Sequence, residues 1–200
     1  MTQQRKVRRR VRVRPTRDET REIIMKAAAD VFRERGFQPA GIEEIAERAG
    51  FTKGAVYSSF SNKDELFLEL LERRVEERAA HVEAAMQGAP RGREGARALG
   101  RALGELMDQD PDWTPLLLEF WIHALRNPRL RAKLGAVRQR LRQSIAAGFH
   151  DDMPIPAETA ATLVFALANG LGLERLTDPA AVPPSMLPLI LERLLPSSFE

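Results

Sequence analysis

Residues 52–63 hold the side chains whose chemistry stands out first. Thr52, Lys53, Gly54, Ala55, Tyr57 and Ser58 fall within seven positions, and Lys63 follows five positions later. Hydroxyls and an ammonium at this spacing suit phosphate oxygens and base edges. An alanine methyl suits the methyl group of thymine. A glycine lets a backbone come close to a partner. Taken singly, each has a plainer reading: Tyr57 as half-buried packing, Gly54 as a local turn, Lys63 as a solvated cation. Lys63 is also odd in sign. It would sit in the first turn of a helix, against the macrodipole, unless a phosphate lay between it and that helix end.

Other chemistry is poorly supplied. The three histidines, His81, His123 and His150, are scattered, and there is no cysteine. No nucleophile stands beside a base, no ligand spacing suits a metal, and no glycine loop cradles a phosphate. An enzyme, a resident metal and a cofactor are therefore not expected.

Charge is unevenly spread. Residues 1–17 hold eight Lys/Arg and no acid, while the whole chain is +3, so the remainder sums to −5. A basic arm on an acidic body points to a polyanion at that end. Arg12, Arg14 and Arg17 are its candidate contacts, in a minor groove beside the main grip. The alternative is a solvated tail. An anionic membrane surface fits less well, because valine is the arm's only apolar anchor. No apolar run approaches the roughly 20 residues of a membrane span, and the charged N-terminus lacks a signal peptide's apolar stretch. The 44 % hydrophobic content suits a globular fold, and the expected place is the cytoplasm.

The positioning elements read as helices throughout, about nine of them. The first runs from Arg17 to Arg35, with Ile23, Ile24, Ala27, Ala28, Val31 and Phe32 as one apolar stripe and Gly36 as a left-handed stop. A short helix spans Ile42 to Ala49. The next starts at Thr52 and ends near Phe60. Asn62 and Glu65 make a capping box for a helix to about Met86. Residues 87–95 form a loop. Further helices follow over 94–108, from Thr114-Pro115 to Asn127, and from Asn127-Pro128 to about Phe149. The last two span 157–177 and about 185–195. The fold class is all-α: an arm over 1–15, a three-helix N-terminal domain over 16–77, and a helical C-terminal domain over 78–200.

Residues 41–60 satisfy the demands of a helix-turn-helix. Two short helices crossing steeply need a small residue at their contact, supplied by Ala46, and a left-handed turn residue, supplied by Gly50. Ile45, Ala49, Phe51 and Val56 then face inward. The second helix would enter the major groove with Thr52 to Ala55 leading.

These residues resemble the TetR family over about Thr16 to Leu71. The likeness lies in Ala27-Ala28, Phe32, Gly36-Phe37, Ile42-x-x-Ile45-Ala46-x-x-Ala49-Gly50 and Thr52-Lys53-Gly54-x-x-Tyr57-x-x-Phe60-x-x-Lys63-x-x-Leu66. It implies an all-α homodimer that binds double-stranded operator DNA and a small-molecule effector. It also implies that 16–77 is the DNA-binding domain and 78–200 the ligand-binding and dimerisation domain. Most such proteins repress until the effector releases them. The DNA-facing set it implies is Thr52, Lys53, Gly54, Ala55, Tyr57, Ser58 and Lys63. One departure is Ala40-Gly41, where relatives carry Thr or Ser to cap the motif.

Beyond residue 71 the likeness weakens, although 113–142 is similar to a C-terminal type of some TetR proteins. Trp113, Phe120, Trp121, His123, Phe149, Phe165 and Asn169 are the candidate effector contacts, an apolar wall with two polar groups. They imply a small, largely apolar ligand. The helices over 157–177 and 185–195 carry more leucine than one face needs, and Ala166, Ala168, Gly170 and Gly172 allow close approach. They are the expected two-fold dimer face. The competing reading is an architectural protein that coats DNA without sequence choice. It would lack the roughly thousandfold or greater preference of a regulator for its site.

Overall fold

The computed structural model describes residues 15–89, 92–149 and 155–194. Arg12 and Arg14 of the arm lie outside these. Among the described residues there are nine α-helices and no strand. They are α1 (Arg17–Arg35), α2 (Ile42–Ala49), α3 (Lys53–Ser59), α4 (Lys63–Met86), α5 (Arg93–Gln109), α6 (Trp113–Leu125), α7 (Pro128–Ala146), α8 (Ala157–Thr177) and α9 (Met186–Leu194).

Local chemistry explains most boundaries. Thr16 Oγ1 accepts the Glu19 N–H at 3.2 Å, and Glu19 accepts the Thr16 N–H at 2.7 Å, a complete capping box. Asn127 accepts from the N–H groups of Arg129 and Leu130, and Pro128 fills the first helical position. Asn62 accepts from Glu65 N–H at 2.9 Å, but the Glu65 carboxylate turns to Ser61 N–H, so that box is half formed.

Four expectations are corrected. Ile23 is exposed and Met25 is buried in its place, so the buried stripe of α1 is Ile24, Met25, Ala27, Ala28, Val31 and Phe32. Gly36 has φ 85° but ψ 169°, a positive-φ stop outside the left-handed helical well. The sixth helix begins at Trp113, not Thr114. The Trp113 ring stacks on Phe67 at 5.8 Å, and Pro115 still falls in the first turn, where its missing N–H is tolerated. The seventh ends at Ala146, where tight turns bond Gly148 N–H to Ile145 and Phe149 N–H to Ala146.

Two cores share the long α4, whose 24 residues span about 36 Å at 1.5 Å per residue. The first is built from α1 to α4 with α6 and the start of α7. The second joins the end of α4 to α5, α8, α9 and the end of α7. An aromatic cluster fastens α6 to the N-terminal helices: Phe120 lies 4.4 Å from Phe67 and 4.9 Å from Phe37, ring centre to ring centre. Within the protomer, α5 and α9 approach closely. A Cβ on Gly100 would lie 2.5 Å from Pro188 Cα, so α5 and α9 meet backbone to backbone there.

Candidate nucleic-acid interface

The turn before α3 is set by Gly50, at φ 73° and ψ 27°. A Cβ there would meet nothing within 4 Å, so the glycine answers a conformation, not a shortage of space. Phe51 N–H bonds back to Ala46 O at 2.9 Å and closes the helix end. Thr52 Oγ1 then caps α3 by accepting Ala55 N–H at 3.2 Å.

Two contacts hold α3 in place, and a third fixes α2 before it. Val56 is fully buried beneath it. The Arg21 guanidinium lies 4.1 Å from the centre of the Phe60 ring, bonds both Glu69 oxygens and donates to Ser59 O. On the other side, Arg48 pairs with Glu34 through two bonds of 2.5 and 2.7 Å, tying α2 to α1.

The outer face of α3 has little protein business of its own. Thr52, Lys53, Gly54, Tyr57 and Ser58 are exposed and Ala55 is half-buried. A Cβ on Gly54 would find only Thr52 Oγ1, at 3.8 Å, so packing does not demand a glycine there. Tyr57 is 47 % exposed. Ser58 Oγ donates to Ala55 O at 2.7 Å. Lys53 Nζ pairs with Glu43, and that hydrogen bond raises the lysine pKa. The pair is fully solvated, so a phosphate exchanges readily for the carboxylate. Arg17 is exposed at the first turn of α1.

Lys63, expected to face DNA, is occupied within the protein. Its Nζ donates to the carbonyls of Phe37 at 2.8 Å, Gln38 at 3.0 Å and Ala40 at 3.0 Å. An ammonium has three N–H groups, and all three are used. It also lies 4.7 Å from the centre of the Phe37 ring, and burial lowers its pKa. The carbonyls of the loop before α2 thus balance the cation at this helix start within the protein.

The expected effector residues divide. Trp113, Phe165 and Asn169 line one cavity of about 100 Å³ inside the C-terminal helices. Phe149 lines a separate groove of about 640 Å³ between the end of α4, α5 and the end of α7. Phe120 is fully buried in the aromatic cluster, too deep to line either space. His123 is bonded to Asp64 at 3.0 Å beside the Phe37 ring, because α6 turns that face towards α4 and not inward. Trp121 lies under the Arg138 guanidinium at 4.0 Å.

Residues 24–70 match bacterial regulatory proteins of the tetR family. Residues 90–197, more than half of the chain, match the tetracyclin repressor-like C-terminal domain. The chain belongs to the TetR family of bacterial regulatory proteins.

Two curated relatives and one solved structure illustrate the range. The HTH-type transcriptional activator FasR of Mycolicibacterium smegmatis is 48 % identical over 60 residues, 30 % of this chain and 27 % of FasR. The HTH-type transcriptional repressor BepR of Brucella suis is 46 % identical over 55 residues, 28 % of this chain and 26 % of BepR. The chain thus spans about a quarter of the length of these relatives. A transcriptional regulator from Rhodococcus sp. Rha1 superposes with a TM-score of 0.69 at 29 % identity, covering 86 % of this chain and 92 % of that one.

As in other TetR proteins, the motif needs a start for its first helix, and here Gly41 provides only backbone. It sits at φ −103° with no side-chain cap, and Ala40 beside it is buried. Sequence reasoning missed Arg21, Glu119 and the arginines of the cavity. Glu119 accepts the N–H of Phe37 from a distance of 82 positions, which no local pattern reveals. The arginines did leave a signal. Arg74 and Arg78 fall in step with Leu71, Val75 and Val82 on the apolar side of α4.

Proposed function

We propose that this TetR protein is a sequence-specific, DNA-binding transcriptional regulator. It acts as a dimer and represses until a small, largely apolar effector releases it from a palindromic operator. The observation that carries this is the outer face of α3. A Cβ on Gly54 would meet only Thr52 Oγ1, Tyr57 stands out, and Lys53 is paired with an exchangeable surface carboxylate. Such a face suits a major groove, with Thr52, Lys53, Gly54 and Ala55 near base edges and Tyr57 and Ser58 near phosphates.

Dimerisation through α8 and α9 fits the apolar surface they leave open, with Leu163, Leu173 and Leu176 on α8 and Leu189 and Leu194 on α9 exposed. The effector reading draws on the cavity lined by Trp113, Phe165 and Asn169. It also draws on the continuous joint from α6 to the loop before α2. Arg17, with the arm before it, adds contacts beside the main grip.

The test is selection of binding sites from random duplexes with the purified protein. A palindromic consensus bound at least ~10³ times tighter than random DNA is expected. Uniform binding of all duplexes would overturn the reading. The selected site then serves to screen for effectors that release it.

A further inference from the structure

The cavity of about 100 Å³ lies where α4, α5, α6, α7 and α8 meet. Its wall is mostly apolar, and three guanidiniums reach it: Arg74 and Arg78 from α4, and Arg138 from α7. No carboxylate lines it among the described residues.

The three cations are not equally provided for. Arg74 pairs with Asp110 at 2.9 Å, although its Nε is buried without a partner. Arg78 has only the carbonyl of Leu106, at 3.3 Å. Arg138 lies between two rings, 4.0 Å from the centre of Trp121 and 4.5 Å from that of Phe165. Among the described residues neither Arg78 nor Arg138 has an ion-pair partner. Burial lowers both to about 10, helped by Arg74 beside one and Arg142 beside the other. Both remain cationic at neutral pH. Both are half-buried; Asp110 offsets part of the charge of Arg78, whereas Arg138 has only the two rings. A cation drawn partly out of water without a full counter-charge is costly, and an anion in the cavity would supply it.

We infer that this cavity binds an organic carboxylate with a short apolar body, its head held by Arg138, with Arg78 adding positive charge to the same cavity. A guanidinium presents a planar fork of N–H groups that matches a carboxylate. Phe165, Leu117 and Leu141 provide the wall for the body. The volume of about 100 Å³ suits a carboxylate head on a short chain. The inference rests on the effector reading above and names the chemical class of that effector.

The probes are hexanoate and hexanamide, equal in shape and different in charge. Trp113 lines the cavity and Trp121 touches Arg138, so tryptophan fluorescence reports on this site; Trp113 also borders a groove between α1 and α4, and the Arg138 variant below separates the two. Titration of the full chain at constant ionic strength is expected to give a saturable change. The Kd for hexanoate should be roughly tenfold below that for hexanamide, the scale of one charged hydrogen bond. Arg138→Met should remove that preference by weakening hexanoate while leaving hexanamide unchanged. Arg78→Met serves in the same way if the first variant does not fold. Equal affinity for both probes in the wild type would overturn the anion inference and leave an apolar effector pocket standing. No saturable response to either probe would overturn the pocket and the inference together.

Discussion

The carboxylate of Glu119 in α6 accepts the backbone N–H of Phe37 at 2.9 Å. It also lies against Gly36, where a Cβ would come within 2.8 Å of its oxygen. The loop that leads into α2 is thus bonded to the C-terminal helices, and the glycine before it makes room for the acceptor. Glu119→Ala removes the acceptor and leaves a part-buried N–H unpaired, at a cost of about 1–3 kcal/mol. Glu119→Gln retains an acceptor oxygen and should lose less than half of that. Urea unfolding of the three proteins gives the comparison. Equal stability of Glu119→Ala and wild type would show that water replaces the carboxylate freely.

Lys53 and Lys63 are both lysines of the DNA-binding helices, yet they should answer salt in opposite ways. Lys53 is solvated on the outer face, whereas Lys63 is spent on three carbonyls. Operator binding by Lys53→Ala should show a slope of log K against log[salt] flatter by about 0.9, one phosphate contact fewer. Lys63→Met should leave the slope unchanged. It should instead lower folding stability by about 2 kcal/mol, the scale of losing bonds to a charged donor. A flattened slope for Lys63→Met would restore the phosphate role.

Gly54→Ala separates folding from binding. Within the protein the added methyl meets only Thr52 Oγ1, at 3.8 Å. In a helix interior, alanine is favoured over glycine by about 0.5–1 kcal/mol. The variant should therefore melt at or above the wild-type temperature. If the α3 backbone lies against DNA, the same methyl intrudes there, and operator affinity should fall about tenfold, the lower end of an overpacking penalty. A more stable variant with undiminished affinity would place the backbone away from the groove.

At Gly100 the opposite holds. A Cβ there would lie 2.5 Å from Pro188 Cα and 2.7 Å from Pro188 N, both backbone atoms that cannot swing aside. Gly100→Ala should lower stability by about 1–3 kcal/mol through overpacking. The loss should appear as a lower melting temperature, with operator binding at low temperature retained. A melt like that of the wild type would show that α9 slides along α5 at little cost.

The ends of the helices were legible where one or two neighbouring residues decide them. Gly50 imposes the left-handed turn, Thr52 caps α3, and Asn127-Pro128 opens α7. Each is a contest between local hydrogen bonds and backbone preference, which adjacent residues settle. What escaped depends on partners distant in the chain. The misfit of Lys63 with its helix dipole was visible, but the carbonyls that resolve it come from residues 37, 38 and 40. Phe120 and His123 read as pocket residues because composition clusters them with Trp113. Which face of α6 turns to Phe37 and Asp64 is decided by packing between helices, not by their spacing. Met25 replaced Ile23 in the core for the same reason.

The leucines left open on α8 and α9 give the last prediction. Leu163 is 59 % exposed and Leu189 51 %, whereas Leu187 and Leu191 of α9 are buried within the protomer. Gly170, on the same helix as Leu163, has nothing within 4 Å of where a Cβ would be, so this side of α8 is open. Full burial of a leucine contributes about 2 kcal/mol, and a two-fold axis counts each residue twice. An arginine at such a position would bring its charge up against its own symmetry mate's side of the interface. Leu163→Arg with Leu189→Arg should leave helix content intact, because neither side chain supports the protomer core. It should convert a dimer into a monomer in sedimentation at micromolar concentration. Operator affinity should fall with it, since a monomer holds one half-site and loses the second recognition helix. A double variant that stays dimeric and binds DNA as before would move the two-fold face away from α8 and α9.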